Sequence, residues 1–458
     1  MNLPNGPQSL SFVQTLKFII NPISFMEDCA KRYGDIFTLR LKTPVVVVSN
    51  PQAIQQILTN DTKDFTAPST GNKPFEPLMG KHSVIMASGA AHRRQRQLLM
   101  PPFHGDRMRV YANIISKITD EVMSQQEVGK TLSVREAMQA ITMRVIMQAV
   151  FGLYEGDRAA ELERLLGLIL EAGGSSPLNA AFLIFPFLQR DLGPFSYWGS
   201  FLRHRERVNQ LLDAEINERR EQPDATRTDI LSLLMAARDE AGQAMTNEEL
   251  RDELMTLLVA GHETTATALS WALYWIHKLP AVREKLLEEL DNLGENSDTN
   301  AIIKLPYLNA VCCETLRIYP VAIFTFRREV KTPVSLCGQE LEPGTSVMGS
   351  IYLTHHREDL YPEPKQFKPE RFLERQFSAY EYLPFGGGAR RCIGMAFAQF
   401  EMKVVLAKIL SNLDLALVDD GDVRPKRRGL VTGPDRPIQM LVKGKRQVKY
   451  AALTSISG

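Results

Sequence analysis

The chain has 458 residues, 44% of them hydrophobic, and a formal net charge of +1. That length can bury a large core, and the near-neutral balance gives no support for nucleic-acid binding. Five cysteines (Cys29, Cys312, Cys313, Cys337 and Cys392) are odd in number and unpatterned, which argues against a disulfide framework and for a reducing cytoplasm.

Residues 1–25 lack a basic start followed by a sustained apolar run, and Pro22 breaks the short stretch beginning at Phe18. Neither a signal peptide nor an N-terminal transmembrane span is expected. No linker or repeat divides the chain, so one domain over 1–458 is predicted. Its β-rich parts fall at about 30–60 and 320–350, its helical core at about 90–320 and 390–412, and a flexible tail at 444–458. The fold class is mainly α with a minor β-rich region.

Residues 36–42 and 45–49 are β-rich runs around Thr43 and Pro44 and read as a hairpin. Pro51 opens a short helix. Residues 61–89 hold Pro68, Pro74 and Pro77 with several glycines and read as loop, with Phe75 among its apolar positions. His92 and Arg96 then lie four apart on one helix face, with Arg93 and Arg94 left to point outward. Such a basic run is ordinarily a solvated face.

Residues 105–223 read as mostly helical, broken near Gly173 and again at Gly193 and Pro194. The apolar stretch 180–188 between the breaks fits core packing or weak membrane-surface contact. Thr246 and Glu249 form a capping box that opens a long helix running to about Lys278, before Pro280. His262, Glu263, Thr264 and Thr265 interrupt its apolar run, so it reads as a buried helix rather than a span. Gly261 costs such a helix about 1 kcal/mol against alanine, and Glu263 is costly there unless hydrated, paired or functional.

Glu314 and Arg317, three apart, share a helix face. A lone pair of this kind is usually a surface ion pair. Runs at 321–330 and 334–347 read as strands. Residues 382–394 carry Gly386, Gly387 and Gly388, then Arg390, Arg391, Cys392 and Gly394, directly before a helical run from Met395. A cysteine at a helix N-terminus beside two arginines favours a thiolate, and the glycines remove side chains that would bar a large flat ligand from the sulfur. A buried structural cysteine is the plainer alternative.

Four of these stretches occur together. Phe385, Gly388, Arg390, Cys392 and Gly394 resemble the haem-binding signature of the cytochrome P-450 family. Glu314 to Arg317 resembles its Glu-x-x-Arg motif, Pro369 to Phe372 the segment that brings Arg371 to it, and Ala260 to Thr265 its oxygen-activation motif. The resemblance implies the P-450 fold, with haem b between the long helix and the cysteine loop. It implies a monooxygenase in which Cys392 ligates the iron and Phe385, Gly386 and Gly394 shape the loop. His92, Arg96, Arg327 and Arg390 would meet the haem propionates, while Glu263 and Thr264 relay protons. Glu314, Arg317 and Arg371 would form a structural network. Phe75, Ala260, Phe324, Leu430 and Val431 would line a pocket for a lipophilic substrate such as a fatty acid, alkane or terpenoid. O₂ and a separate ferredoxin- or flavodoxin-type electron donor are the implied partners, and bacterial, including cyanobacterial, members are the most similar. A peroxide-driven peroxygenase is the first rival, against which the Glu263–Thr264 pair argues. A non-catalytic haem sensor is the second.

Overall fold

The computed structural model describes residues 3–105, 107–172, 189–193, 196–294, 299–429 and 431–446. Its axis is the helix Asn247–Lys278. The Thr246 hydroxyl accepts the Glu249 N–H at 3.2 Å while the Glu249 carboxylate accepts the Thr246 N–H at 2.9 Å, so two orphan donors are satisfied reciprocally. Thirty-two residues span about 48 Å. Most of its side chains are buried on every face, as in a helix that crosses a core. The helix Met395–Asn412 packs against it and against Arg107–Ser124, and the helices Val134–Val145 and Pro306–Ile318 complete the surround. Among the described residues no helix is long and apolar enough to cross a membrane.

The β-rich part is a five-stranded sheet. In spatial order its strands are Ile36–Arg40, Pro44–Val48, Ser346–Gly349, Arg328–Val330 and Phe65–Thr66. The N-terminal hairpin is antiparallel with Ile36 opposite Val48, and its strand Pro44–Val48 runs parallel to Ser346–Gly349. Of the run expected at 321–330 only Arg328–Val330 is a strand, and turns at Gly338 and Gly344 divide the run expected at 334–347 into short strands. The expected loop 61–89 contains Phe65–Thr66, a 3₁₀ segment Ser69–Phe75 and the helical turn Glu76–Met79. Pro77 sits in the first turn of the latter, where its missing N–H would have been unpaired anyway. The stretch 180–188 and the tail beyond residue 446 lie outside the described residues.

Candidate active site

The cysteine loop is held from behind. Gly388, with φ of +64°, leaves no room for a side chain, since a Cβ would stand 2.3 Å from the Leu58 carbonyl oxygen. A Cβ on Gly387 would meet the Leu58 side chain at 2.9 Å. These two glycines therefore serve close packing on the helix Pro51–Thr59, whereas the sequence argument assigned them to ligand approach. Gly386, with φ of +65°, faces open space. The Cys392 N–H donates to the Phe385 carbonyl at 3.0 Å, and Gly394 caps Met395–Asn412. Cys392 is solvent-accessible although protein surrounds it closely, as for a residue in the wall of a recess. Burial pushes its thiol up, while the Gly394 N–H, Arg96 and Arg391 each favour the thiolate.

The four cationic candidates differ in what already holds them. Arg96 donates to the Arg391 carbonyl at 2.7 Å. Burial lowers its pKa, and the nearby Cys392 acts in the opposite sense. His92 is buried, and burial with Arg390 and Arg96 lowers it to about 4, so it is neutral. Arg390 donates to the carbonyls of Val84 at 3.1 Å, Ile85 at 3.4 Å and Ala87 at 2.5 Å, using three of its N–H groups to grip that strap. Arg328 is fully buried and paired to Asp61. Its neighbour Arg327 is half-buried, its guanidinium has no hydrogen-bond or ion-pair partner among the described residues, and burial alone depresses it.

On the long helix, Ala260 is exposed and Gly261, Glu263 and Thr264 are partly so, in a segment otherwise enclosed. The Thr264 hydroxyl donates to the Ala260 carbonyl one turn back. Glu263 is paired: Arg135 donates to Oε1 and Gln139 to Oε2, each at 2.7 Å, both from Val134–Val145. That pairing meets the cost of an acid in this helix, and no signal in the sequence singles out Arg135 or Gln139. His262 hydrogen-bonds Thr142 at 2.8 Å, and burial lowers it to about 4. A Cβ on Gly261 would only touch Ile146, at 3.4 Å, in the π-helical turn Ile146–Val150 that continues the neighbouring helix.

The structure brings Glu314, Arg317 and Arg371 into one sealed cluster. Arg317 donates to both Glu314 oxygens, at 2.7 and 2.9 Å, and Arg371 to Oε1 at 3.1 Å. The Lys368 N–H supplies a fourth donor at 2.8 Å, and the Tyr361 ring lies 5.1 Å from the Arg317 guanidinium. Fully buried His355 joins this cluster to the cysteine loop. Its Nε2 accepts the Leu383 N–H at 3.0 Å, which fixes Nδ1 as the protonated nitrogen facing the Arg317 carbonyl at 3.2 Å. The sequence argument missed this residue and misplaced another. Arg94, read as outward-pointing, donates to Asp239 at 2.6 Å and to the capping residue Glu249 at 2.7 Å, and so ties Gly89–Leu99 to the long helix.

Four of the five pocket candidates lie among the described residues, and their surroundings differ. Ala260 is open, and Phe75 packs on the main core. Phe324 lies 5.4 Å, ring to ring, from Phe18 and joins the N-terminal cluster. Val431 is buried in a hairpin of Pro425–Arg428 with Val431–Pro434, whose Gly433 approaches Thr267 of the long helix. Leu430 lies outside the described residues.

A mostly helical chain with a small sheet, a cysteine before a buried helix and a long central helix is the cytochrome P450 architecture, and the comparisons agree. Residues 4–442 match the sequence model of the cytochrome P450 family. Cytochrome P450 135B1 of Mycobacterium tuberculosis is 35% identical over all of this chain and 95% of its own length. Cytochrome P450 138 of the same organism is 34% identical over 95% of both chains. The structure of a retinoic acid-bound cyanobacterial CYP120A1 superposes with a TM-score of 0.81, at 25% identity, over 97% of this chain and 99% of that one. The chain belongs to the cytochrome P450 family. It is a haem b-dependent thiolate monooxygenase, and membership brings with it O₂, a lipophilic substrate and a redox partner.

Proposed function

We propose that Cys392 supplies the thiolate ligand to the haem iron and that the chain hydroxylates or epoxidises a lipophilic molecule of the fatty acid, alkane or terpenoid type. The observation that carries the first part is the placement of Cys392. It is an accessible thiol at the head of a buried helix, with the Gly394 N–H and two arginines favouring its charged form. The donor set fits haem b. Two propionates need charge-assisted partners when enclosed, and Arg327 is a half-buried cation with no partner among the described residues. Arg96 and Arg390 stand beside it in this role, and neutral His92 offers a hydrogen bond. Bound haem supplies the redox chemistry that activates O₂.

The remaining steps belong to side chains. Thr264 donates its own proton to Ala260, so its oxygen is left to accept from an ordered water. When Arg135 turns away from Glu263, the freed carboxylate oxygen takes up a proton from solvent water and passes it through the ordered water toward the Thr264 side, while Arg135 stays protonated throughout. Ala260, Phe75 and Val431 offer an apolar lining, and the cyanobacterial relative is described with retinoic acid, a lipophilic acid, bound. Electrons come from a ferredoxin- or flavodoxin-type protein in the cytoplasm, a reading supported by five free cysteines.

The test is spectroscopic. Reduced, carbon monoxide-treated protein shows the long-wavelength Soret band of a thiolate haem, and Cys392→Ser loses it. Retention of that band in the variant overturns the assignment. A titration of ferric protein with lipophilic compounds, read as a spin-state change, identifies the substrate class.

A further inference from the structure

A polar recess of about 570 Å³ lies between residues 73–82, the first turns of the long helix and the helix Tyr197–Glu221. It is distinct from the cysteine site. Asp252, which lines it, precedes Thr264 by 12 residues, about 18 Å along the helix axis and about 120° around it. Its volume is in the small-ligand range.

The recess is short of hydrogen-bond acceptors where its walls are cationic. Arg205 is 9% exposed, and its Nη2 reaches Asp252 only at 3.4 Å. Among the described residues its Nη1 has no partner. One turn on, Asn209 Oδ1 is likewise buried with no partner among them, and across the recess so is Arg251 Nε. Three such atoms in one place are unusual, because a buried polar group without a partner loses its hydration with nothing in return. Burial lowers Arg205 to about 10, which marks a guanidinium poorly compensated by its surroundings.

Of the lining acids, Asp252 is already engaged and Glu248 faces solvent. Asp252 accepts the His82 N–H at 2.9 Å and lies so close to Gly80 that a Cβ there would stand 1.9 Å from its Oδ1. Glu248 is more than half exposed, 3.9 Å from Lys81 Nζ and 3.2 Å from His82 Nε2, the latter out of hydrogen-bonding alignment. Arg251 Nη1 holds Asp213 at 2.6 Å, which leaves its Nε pointing elsewhere. Lys73 and Glu76 complete the charged lining. The formal charges nearly cancel, but the guanidinium donors do not find acceptors.

We propose that this recess is a binding site for an oxyanion, a carboxylate or phosphate group, held by the guanidinium groups of Arg205 and Arg251. Guanidinium pairs with these groups in a planar fork, which neutral acceptors do not match. The Asn209 side-chain amide, turned so that Nδ2 faces inward, adds a third donor. Occupancy cross-braces the two helices Tyr197–Glu221 and Asn247–Lys278 and stabilises the folded chain by mass action.

The test uses the haem-loaded full chain at low salt, with inorganic phosphate and acetate as separate calorimetric titrants. At least one binds saturably, and added salt weakens it. Arg205→Gln and Arg251→Gln each weaken binding about tenfold or more, the loss of one charge-assisted contact of about 1.4 kcal/mol. Arg251 is 19% exposed against the more deeply buried Arg205, so its variant is the milder of the two, and an unchanged thiolate Soret band verifies its fold. Dodecanoate as a third titrant separates the sources. An Arg205-dependent heat with a ferric spin-state change assigns the oxyanion to the substrate's own head group, and the same heat without it assigns a separate effector. No saturable binding of phosphate or acetate, or equal binding by the wild-type chain and both variants, overturns the proposal.

Discussion

Two acid–arginine sites in this molecule use the same residue types and differ in what encloses them. Glu314 with Arg317 and Arg371 is sealed, the first two fully and the third nearly so, and every Glu314 oxygen is occupied. Glu263 with Arg135 is about a quarter exposed on both sides. A sealed pair with satisfied hydrogen bonds has no route for a proton and can only hold elements together. A partly open pair can exchange with water, so its carboxylate can work. Burial, not residue type, separates the two roles.

Breaking the sealed site gives the largest effect. Glu314→Ala strands two buried guanidinium groups and costs about 3–5 kcal/mol. The expected outcome is little folded, haem-loaded protein, measured as Soret absorbance per milligram. A fully loaded variant with only slower turnover would move the cluster into the catalytic class.

At the open site the fold survives. Glu263→Gln slows turnover by about 10²-fold, at the low end of what general acid–base groups contribute. Thermal stability stays within about 1 kcal/mol, since partly exposed pairs contribute little. Arg135→Gln shifts the pH dependence of turnover with a smaller loss of rate. An unchanged pH profile would remove Arg135 from the proton route.

Thr264→Ala sharpens the comparison further, because it leaves the ion pair intact. Substrate binding and reductant consumption persist, while product per reductant falls several-fold and hydrogen peroxide rises to match. Wild-type coupling in that variant would place the last proton donor elsewhere.

At neutral pH the buried histidines leave stability unchanged, and their effect is confined to acid. Burial lowers His92, His262 and His277 to about 4 and His356 to about 3, against 6.5 for the ordinary group. Below pH 6.5 the unfolded chain binds protons that the folded chain refuses. Stability is therefore full above that pH and falls as pH drops toward 4. Each such histidine contributes a slope of about 1.4 kcal/mol per pH unit. His277→Gln makes the acid limb shallower by one proton, read from denaturant midpoints against pH.

Parts of this site were legible because their chemistry is local. The capping box at Thr246 and Glu249, the Glu314–Arg317 spacing and the glycine-flanked Cys392 all lie within one or two helical turns. The glycine run was visible, but its reason was not. Gly387 and Gly388 make room for Leu58, a residue some 330 positions earlier, and no reading of residues 382–394 names that neighbour. Sequence spacing does not separate Arg327, the expected propionate partner, from its neighbour Arg328. Arg328 is sealed against Asp61, and the Arg327 guanidinium has no partner among the described residues.

The sequence by itself determined the helices, the family and the residue types of the site, because capping, periodicity and motif spacing are set by neighbours along the chain. Only the tertiary structure decided which of those side chains are already paired. Arg135 meets Glu263 across 128 positions, Arg94 meets Glu249 across 155 and Arg390 grips Val84 across 306. The physical reason is that a charge's state follows from burial and from the partner nearest in space, and folding chooses that partner from the whole chain.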